Sequence, residues 1–334
     1  MPMFLCIFLL AAEPASQTGT CVPAFANRPA AAAEATRLTP PPTPFPWTLQ
    51  QRYRDDAVAI STLKFPSPVK SPYECNNTVW CEYHAPLEAA GRSPAAVVLH
   101  FLYDKDFTVT RTVTNSLARR GIPALMLKMA YYGERRPPSL PSEISESLDG
   151  LVTAWLQSAQ DIRTALAWLE ARPEVDPQRV SLVGISLGAF VGSLVVGIDA
   201  NVDRAVLVLG GGNLNEVLWT APETRQLRAV LRARNLSREA TEKLLAPIEP
   251  LRVAAPLPPD TVLMINASND KTVPPACTRA LAAAFKTDNV QWFETTHTGL
   301  AANLFTVLDA TAAFLQKPAV HQSAATTPVQ GERQ

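Results

Sequence analysis

Gly184-Ile-Ser186-Leu-Gly188 carries the sharpest chemical signal in the chain. It follows the apolar run Arg179-Val-Ser-Leu-Val183 and opens a helical pattern, Ala189-Phe-Val-Gly-Ser-Leu. A G-x-S-x-G pentapeptide at such a junction makes a tight strand-to-helix turn. The glycines leave room for the crossing backbone, and the bend lifts the serine Oγ above the sheet. Ser186 is therefore the candidate nucleophile. A serine hydroxyl attacks poorly near neutral pH unless a base takes its proton and a carboxylate holds that base in the right tautomer.

Only four histidines are available. His321 lies close to the end of the chain, and His84 and His100 fall within apolar runs upstream of the serine. His297, in Glu294-Thr-Thr-His-Thr-Gly-Leu300, follows a short strand pattern and precedes the last helix. It has the position that the chain order serine, acid, histidine requires. The acid should lie between them at the end of a strand. Asp270 does so, in the loop after Val262-Leu-Met-Ile-Asn-Ala267 and just before a helix whose start is marked by Pro274-Pro275. Asp260 and Asp288 are the competitors, and both precede strands, at the wrong end of the sheet. Two N–H donors must meet the developing oxyanion. Leu187, next after the nucleophile, offers one. The loop His100-Phe-Leu-Tyr-Asp104 offers the other, with Leu102 nominated and Tyr103 as the alternative. That loop has no glycine, so a wide, exposed hole is not expected.

Positioning these groups requires strands alternating with helices, and the chain has that pattern. Strands are expected at Val58–Phe65, Val79–His84, Ala95–Leu102, Ile122–Met129, Val180–Val183, Ala205–Leu209, Thr261–Ala267 and Val290–Phe293. Helical patterns fall near Phe107–Arg120, Ser147–Arg172, Gly188–Val196, Pro275–Lys286 and Leu300–Leu315. The expected fold is α/β, a mostly parallel, doubly wound sheet with helices on both faces. The first two strands suit an antiparallel edge. Residues 213–246 hold two helices' worth of chain without a strand and read as a helical cap over the carboxyl ends of the strands. Trp219 is the cap's candidate for the substrate pocket, beside Tyr103 from the oxyanion loop.

Composition narrows the function. Apolar residues make up 47% of the 334 and charged residues only 18%, which excludes global disorder. Thirty Lys and Arg balance thirty Asp and Glu, with no basic block, so nucleic acid is not an expected partner. Met3–Ala12 is the longest apolar run, about 15 Å as a helix, too short to cross a bilayer. Its length suits the apolar part of an export signal, although no basic residue precedes Arg28. Residues 1–26 are thus expected to be a leader and 27–46, rich in proline and alanine, a linker. The catalytic domain should occupy 47–317 and a flexible tail 318–334. Export would place the protein in the periplasm or outside the cell. Cys75 and Cys81 could then form a disulfide, which spacing alone does not decide, and the sequon Asn76-Asn-Thr78 would become relevant. The cysteines and histidines lack metal-ligand spacing, and neither a metal nor an organic cofactor is expected.

The segments Pro173–Gly188, Asp270-Lys-Thr-Val-Pro and His297-Thr-Gly-Leu together resemble the α/β-hydrolase superfamily, especially its dienelactone-hydrolase-like and acetyl-xylan-esterase-like branches, over roughly residues 65–315. The resemblance implies the α/β-hydrolase fold and a triad on Ser186, Asp270 and His297. It also implies that the loop Tyr131-Tyr132-Gly-Glu-Arg-Arg136 lines the substrate pocket, with Tyr132 the residue nominated. Dienelactone hydrolase proper uses cysteine where this chain has Ser186. The expected activity is hydrolysis of small-molecule carboxylic esters, short-acyl or acetylated sugar esters among them, through an acyl-enzyme. A peptidase or amidase, and a binding protein that has lost its chemistry, are the alternatives.

Overall fold

The computed structural model describes residues 15–29, 32–88, 91–104, 106–140 and 147–320. Ten strands form one sheet: β1 (Ser16–Cys21), β2 (Phe45–Arg54), β3 (Val58–Pro66), β4 (Thr78–Pro86), β5 (Ser93–Leu99), β6 (Ala124–Lys128), β7 (Val175–Ile185), β8 (Ala205–Val208), β9 (Val262–Ala267) and β10 (Val290–Phe293). Their spatial order is β1-β2-β3-β4-β6-β5-β7-β8-β9-β10. Pairing is antiparallel from β1 to β6 and parallel from β6 to β10.

The parallel strands read as unbroken apolar runs because both faces are covered. On β5, Ala95, Val97 and Leu99 pack into one core and Ala96 and Val98 into the other. The first core lies under α3 (Leu148–Glu170) and α4 (Leu187–Ile198), the second under α2 (Thr108–Ala118) and α9 (Leu304–Leu315). This is the α/β-hydrolase arrangement, with helices on both faces of the sheet. Helix α8 (Pro275–Phe285) joins β9 to β10.

Several expectations need correction. Residues 15–29 and 32–46, which fall in the expected leader and linker, are packed onto the domain. β1 pairs along its whole length with β2, from Ser16 opposite Gln50 to Cys21 opposite Phe45. Gly19 lies under the indole of Trp47, where a Cβ would come within 2.6 Å of the ring. Helix α1 (Ala32–Leu38) buries Ala35 and Leu38, and Arg28 donates to the carbonyl of Val196 at 3.0 Å. The strand is polar and small, so alternation does not reveal it; backbone pairing with a distant segment creates it. The remainder of the expected leader, residues 1–14, lies outside the described residues. At the other end, Ala319 and Val320 are buried, and the Val320 N–H donates to Asp203 at 2.8 Å. The expected tail from 318 therefore begins inside the fold, and residues 321–334 lie outside the described ones.

The 213–246 insertion forms three helices, α5 (Leu214–Thr220), α6 (Arg225–Ala233) and α7 (Arg238–Leu245). Their buried leucines join the core shared with α3 and α4. Cys75 and Cys81 are both free thiols. The sequon asparagine, Asn76, is fully buried and donates to Gln157 at 2.8 Å, so the folded chain offers it to no glycosylating enzyme.

Candidate active site

From β5 the chain crosses to β6 on one side, then returns to β7 on the other and continues to β8. The carboxyl ends of β5 and β7 therefore flank a switch point, where open α/β sheets form a crevice. Ser186 caps β7 there, and the loop from His100 caps β5.

Ser186 holds φ 49° and ψ −108°, a conformation that costs an L-residue on the order of 1–3 kcal/mol. Its surroundings enforce it. The Ser186 N–H donates to Val208 at 2.8 Å, while its carbonyl accepts the N–H groups of Ala189 at 2.9 Å and Phe190 at 3.1 Å. A Cβ on Gly188 would stand 2.6 Å from the Leu99 carbonyl oxygen, so only glycine lets α4 approach β5 this closely.

The structure brings Ser186, His297 and Asp270 together. Ser186 Oγ lies 3.0 Å from His297 Nε2, and His297 Nδ1 lies 2.7 Å from Asp270 Oδ2. An ionised carboxylate can only accept, so Nδ1 carries the proton and Nε2 is left to receive one from the serine. The other oxygen of Asp270 accepts the N–H groups of Thr272 at 2.8 Å and Val273 at 2.9 Å, which fixes the plane of the carboxylate. Loop-to-loop bonds hold the two segments in register: Ser268 N–H to Phe293 at 2.8 Å and Asn269 N–H to Thr295 at 3.0 Å. Asp260, a rejected competitor, instead accepts from Lys317 at 2.9 Å, before β9.

Leu187 is the first residue of α4, so its N–H has no intrahelical acceptor. Leu102 and Tyr103 form the turn after β5, with Tyr103 at φ 65°. His100 anchors that turn. It is fully buried, with Nε2 3.2 Å from the Met129 N–H and Nδ1 3.0 Å from the Phe101 carbonyl. The signal for this anchor in the sequence is a histidine ending a buried apolar strand.

A cavity of about 280 Å³ opens beside Ser186 and His297. Phe101, Ile185 and Leu209 wall it near the serine. Farther along, α2 supplies Val109 and Val113, and α9 supplies Leu304, Val307 and Leu308. Tyr103, Tyr132 and Trp219 do not line it. Tyr132 packs on the His100 ring, with centroids 4.3 Å apart. Trp219 donates its indole N–H to Thr241 at 2.8 Å within the three-helix insertion. No residue of that insertion lines the cavity, because its leucines turn into the core; a hydrogen bond from Thr272 to Glu223 at 2.9 Å ties it to the Asp270 loop. Nor does the 131–136 loop, because Arg135 turns inward to Asp161 at 2.7 Å and to the carbonyls of Lys128 and Asn76, both at 3.0 Å. The cavity residues on α2 and α9 read in the sequence as ordinary core positions. Among the described residues, no group of three or more His, Cys, Asp or Glu could hold a metal ion.

Comparison with known proteins identifies the family and the fold. The dienelactone hydrolase family model matches residues 82–301, and no curated protein matches the chain. Among solved structures, acetyl xylan esterase from Paenibacillus sp. R4 superposes with a TM-score of 0.63 at 15% identity, covering 88% of this chain and 96% of its own. Acetyl xylan esterase 1 from Thermoanaerobacterium sp. JW/SL YS485 gives 0.60 at 13% identity, covering 86% and 96%. A cold-adapted esterase from an Arctic intertidal metagenomic library gives 0.52 at 18% identity, covering 80% and 97%.

Proposed function

The chain belongs to the dienelactone hydrolase family, and from that membership we propose that it is a serine hydrolase of carboxylic esters acting through an acyl-enzyme. The observation that carries this reading is the continuous relay from Ser186 through His297 to Asp270, with links of 3.0 and 2.7 Å.

The chemistry follows from the protonation states. His297 Nε2 takes the hydroxyl proton as Ser186 Oγ bonds to the ester carbonyl carbon. The negative charge gathers on the former carbonyl oxygen, where the N–H groups of Leu187 and Leu102 receive it. Asp270 steadies the imidazolium. Collapse breaks the bond to the alcohol oxygen, which leaves with the proton from Nε2. Water then repeats the sequence on the acyl-serine, releasing the acid and restoring the hydroxyl. Strain at Ser186 keeps Oγ exposed to the cavity rather than folded back into the turn.

The test is Ser186→Ala on p-nitrophenyl acyl esters, with fluorophosphonate labelling of the wild type. The variant should keep less than about a hundredth of wild-type turnover, and the probe should modify Ser186. Turnover retained above that level, or labelling elsewhere, would assign the nucleophile to another residue.

A further inference from the structure

We propose that the cavity beside Ser186 is an acyl-chain site, and that the preferred substrates are esters of medium-length unbranched fatty acids of about six to ten carbons. This rests on the serine esterase reading and names its substrate class.

The cavity runs from Ser186 and His297 along the α2 and α9 face of the sheet. Its wall on β7 extends from Ser186 back to Val183, three residues and roughly 10 Å at the rise of a strand. An acyl group bound to Oγ would thus enter it carbonyl first and lie alongside the strand. Among the described residues, no Asp, Glu, Lys or Arg side chain lines it. At the far end Thr311 spends its hydroxyl on the Val307 carbonyl at 2.7 Å. Away from Ser186, His297 and the adjacent Thr298, hydroxylated or charged acyl groups would lose their water without gaining a side-chain partner. A saturated chain loses nothing.

Volume sets the length. An apolar cavity of about 150 Å³ accommodates a six-carbon ring, and this one holds about 280 Å³. An acetyl group would leave most of it empty. The mouth is apolar as well. Val109, which lines the cavity, is 38% exposed, so the entry would favour a water-shy substrate.

The experiment compares kcat/KM for p-nitrophenyl acetate, butyrate, hexanoate, octanoate, decanoate and laurate, with labelling of Ser186 as the control. Burial of each methylene is worth roughly threefold to fourfold in this ratio. The value should therefore climb to a maximum between six and ten carbons, with octanoate at least tenfold above acetate. Val307→Phe, which fills the far half, should lower the octanoate-to-acetate ratio at least tenfold. Val113→Phe, on the opposite wall, should do the same if the first variant folds poorly. In the wild type alone, an octyl fluorophosphonate should inactivate at least tenfold faster than the ethyl analogue. A profile that is flat or highest at acetate, in a protein whose Ser186 labels normally, overturns the acyl-chain site and leaves the esterase reading standing. Absence of both labelling and ester cleavage overturns the two together.

Discussion

His100 Nε2 accepts the Met129 N–H at 3.2 Å, joining the carboxyl ends of β5 and β6 immediately beneath the turn that carries Leu102. Because a backbone N–H only donates, Nε2 must be bare and Nδ1 must hold the proton that it shares with the Phe101 carbonyl. The loop facing Ser186 is thus hung on a neutral imidazole.

Neutral His100 implies an acid-sensitive fold. Burial pushes its pKa down to about 4 against the pull of the Phe101 carbonyl, and the charges of Lys128 and Arg135 lower it further. Between about pH 6.5 and 4 the unfolded chain binds the proton and the folded one does not, so stability is lost as pH falls through that window. The share owed to this group is on the order of 3 kcal/mol. Urea unfolding at pH 7.5 and 4.5 should show His100→Asn less stable than wild type at the higher pH, with the gap narrowing by about that amount at the lower. A gap that stays constant would mean that His100 is protonated in the fold.

Asp270→Asn should leave KM nearly unchanged and lower kcat by roughly 10³–10⁴-fold. Its carbonyl oxygen can still accept from Thr272 and Val273, so its amide group would face His297 Nδ1 as a donor. That reverses the tautomer and gives Nε2 a proton where it should receive one. Steady-state kinetics on a single ester decide the matter; a loss of less than tenfold would remove Asp270 from the relay.

Gly188→Ala should separate folding from catalysis. The added methyl meets Leu99 backbone and Cβ at 2.6 and 2.7 Å, so α4 must back away from β5 at a cost of about 1–3 kcal/mol. The same shift carries Leu187 and Ser186 out of line. Thermal unfolding should show a modest loss, and kcat on ester substrate should fall at least tenfold. Full activity with normal stability would show that the turn tolerates more width than the contact allows.

Arg135→Met would strand Asp161, whose side chain is fully buried. Removing one partner of such a pair costs about 3–5 kcal/mol. Adding Asp161→Leu should recover much of that loss, because two apolar residues need no compensation. Denaturant midpoints for the single and double variants test this directly, and an undiminished single variant would contradict it.

The alternation of strands and helices, the bend at Ser186 and the chain order of serine, acid and histidine are legible along the chain. These are local signals: periodicity reports which face is buried, and a turn confined to glycine writes itself into five consecutive residues. The remaining features arise from contacts between distant segments. β1 exists because β2 lies beside it, not because Ser16-Gln-Thr-Gly-Thr favours a strand. Asp270 and His297, 27 residues apart, meet only because β9 and β10 are neighbours in the sheet. The three-helix insertion, expected to shape the substrate pocket, turns its leucines into the core, while Val113 and Val307, which look like plain core positions, wall the cavity. A core valine and a cavity valine have the same neighbours in sequence. What distinguishes them is the space left when two helices from distant parts of the chain settle onto one face of the sheet.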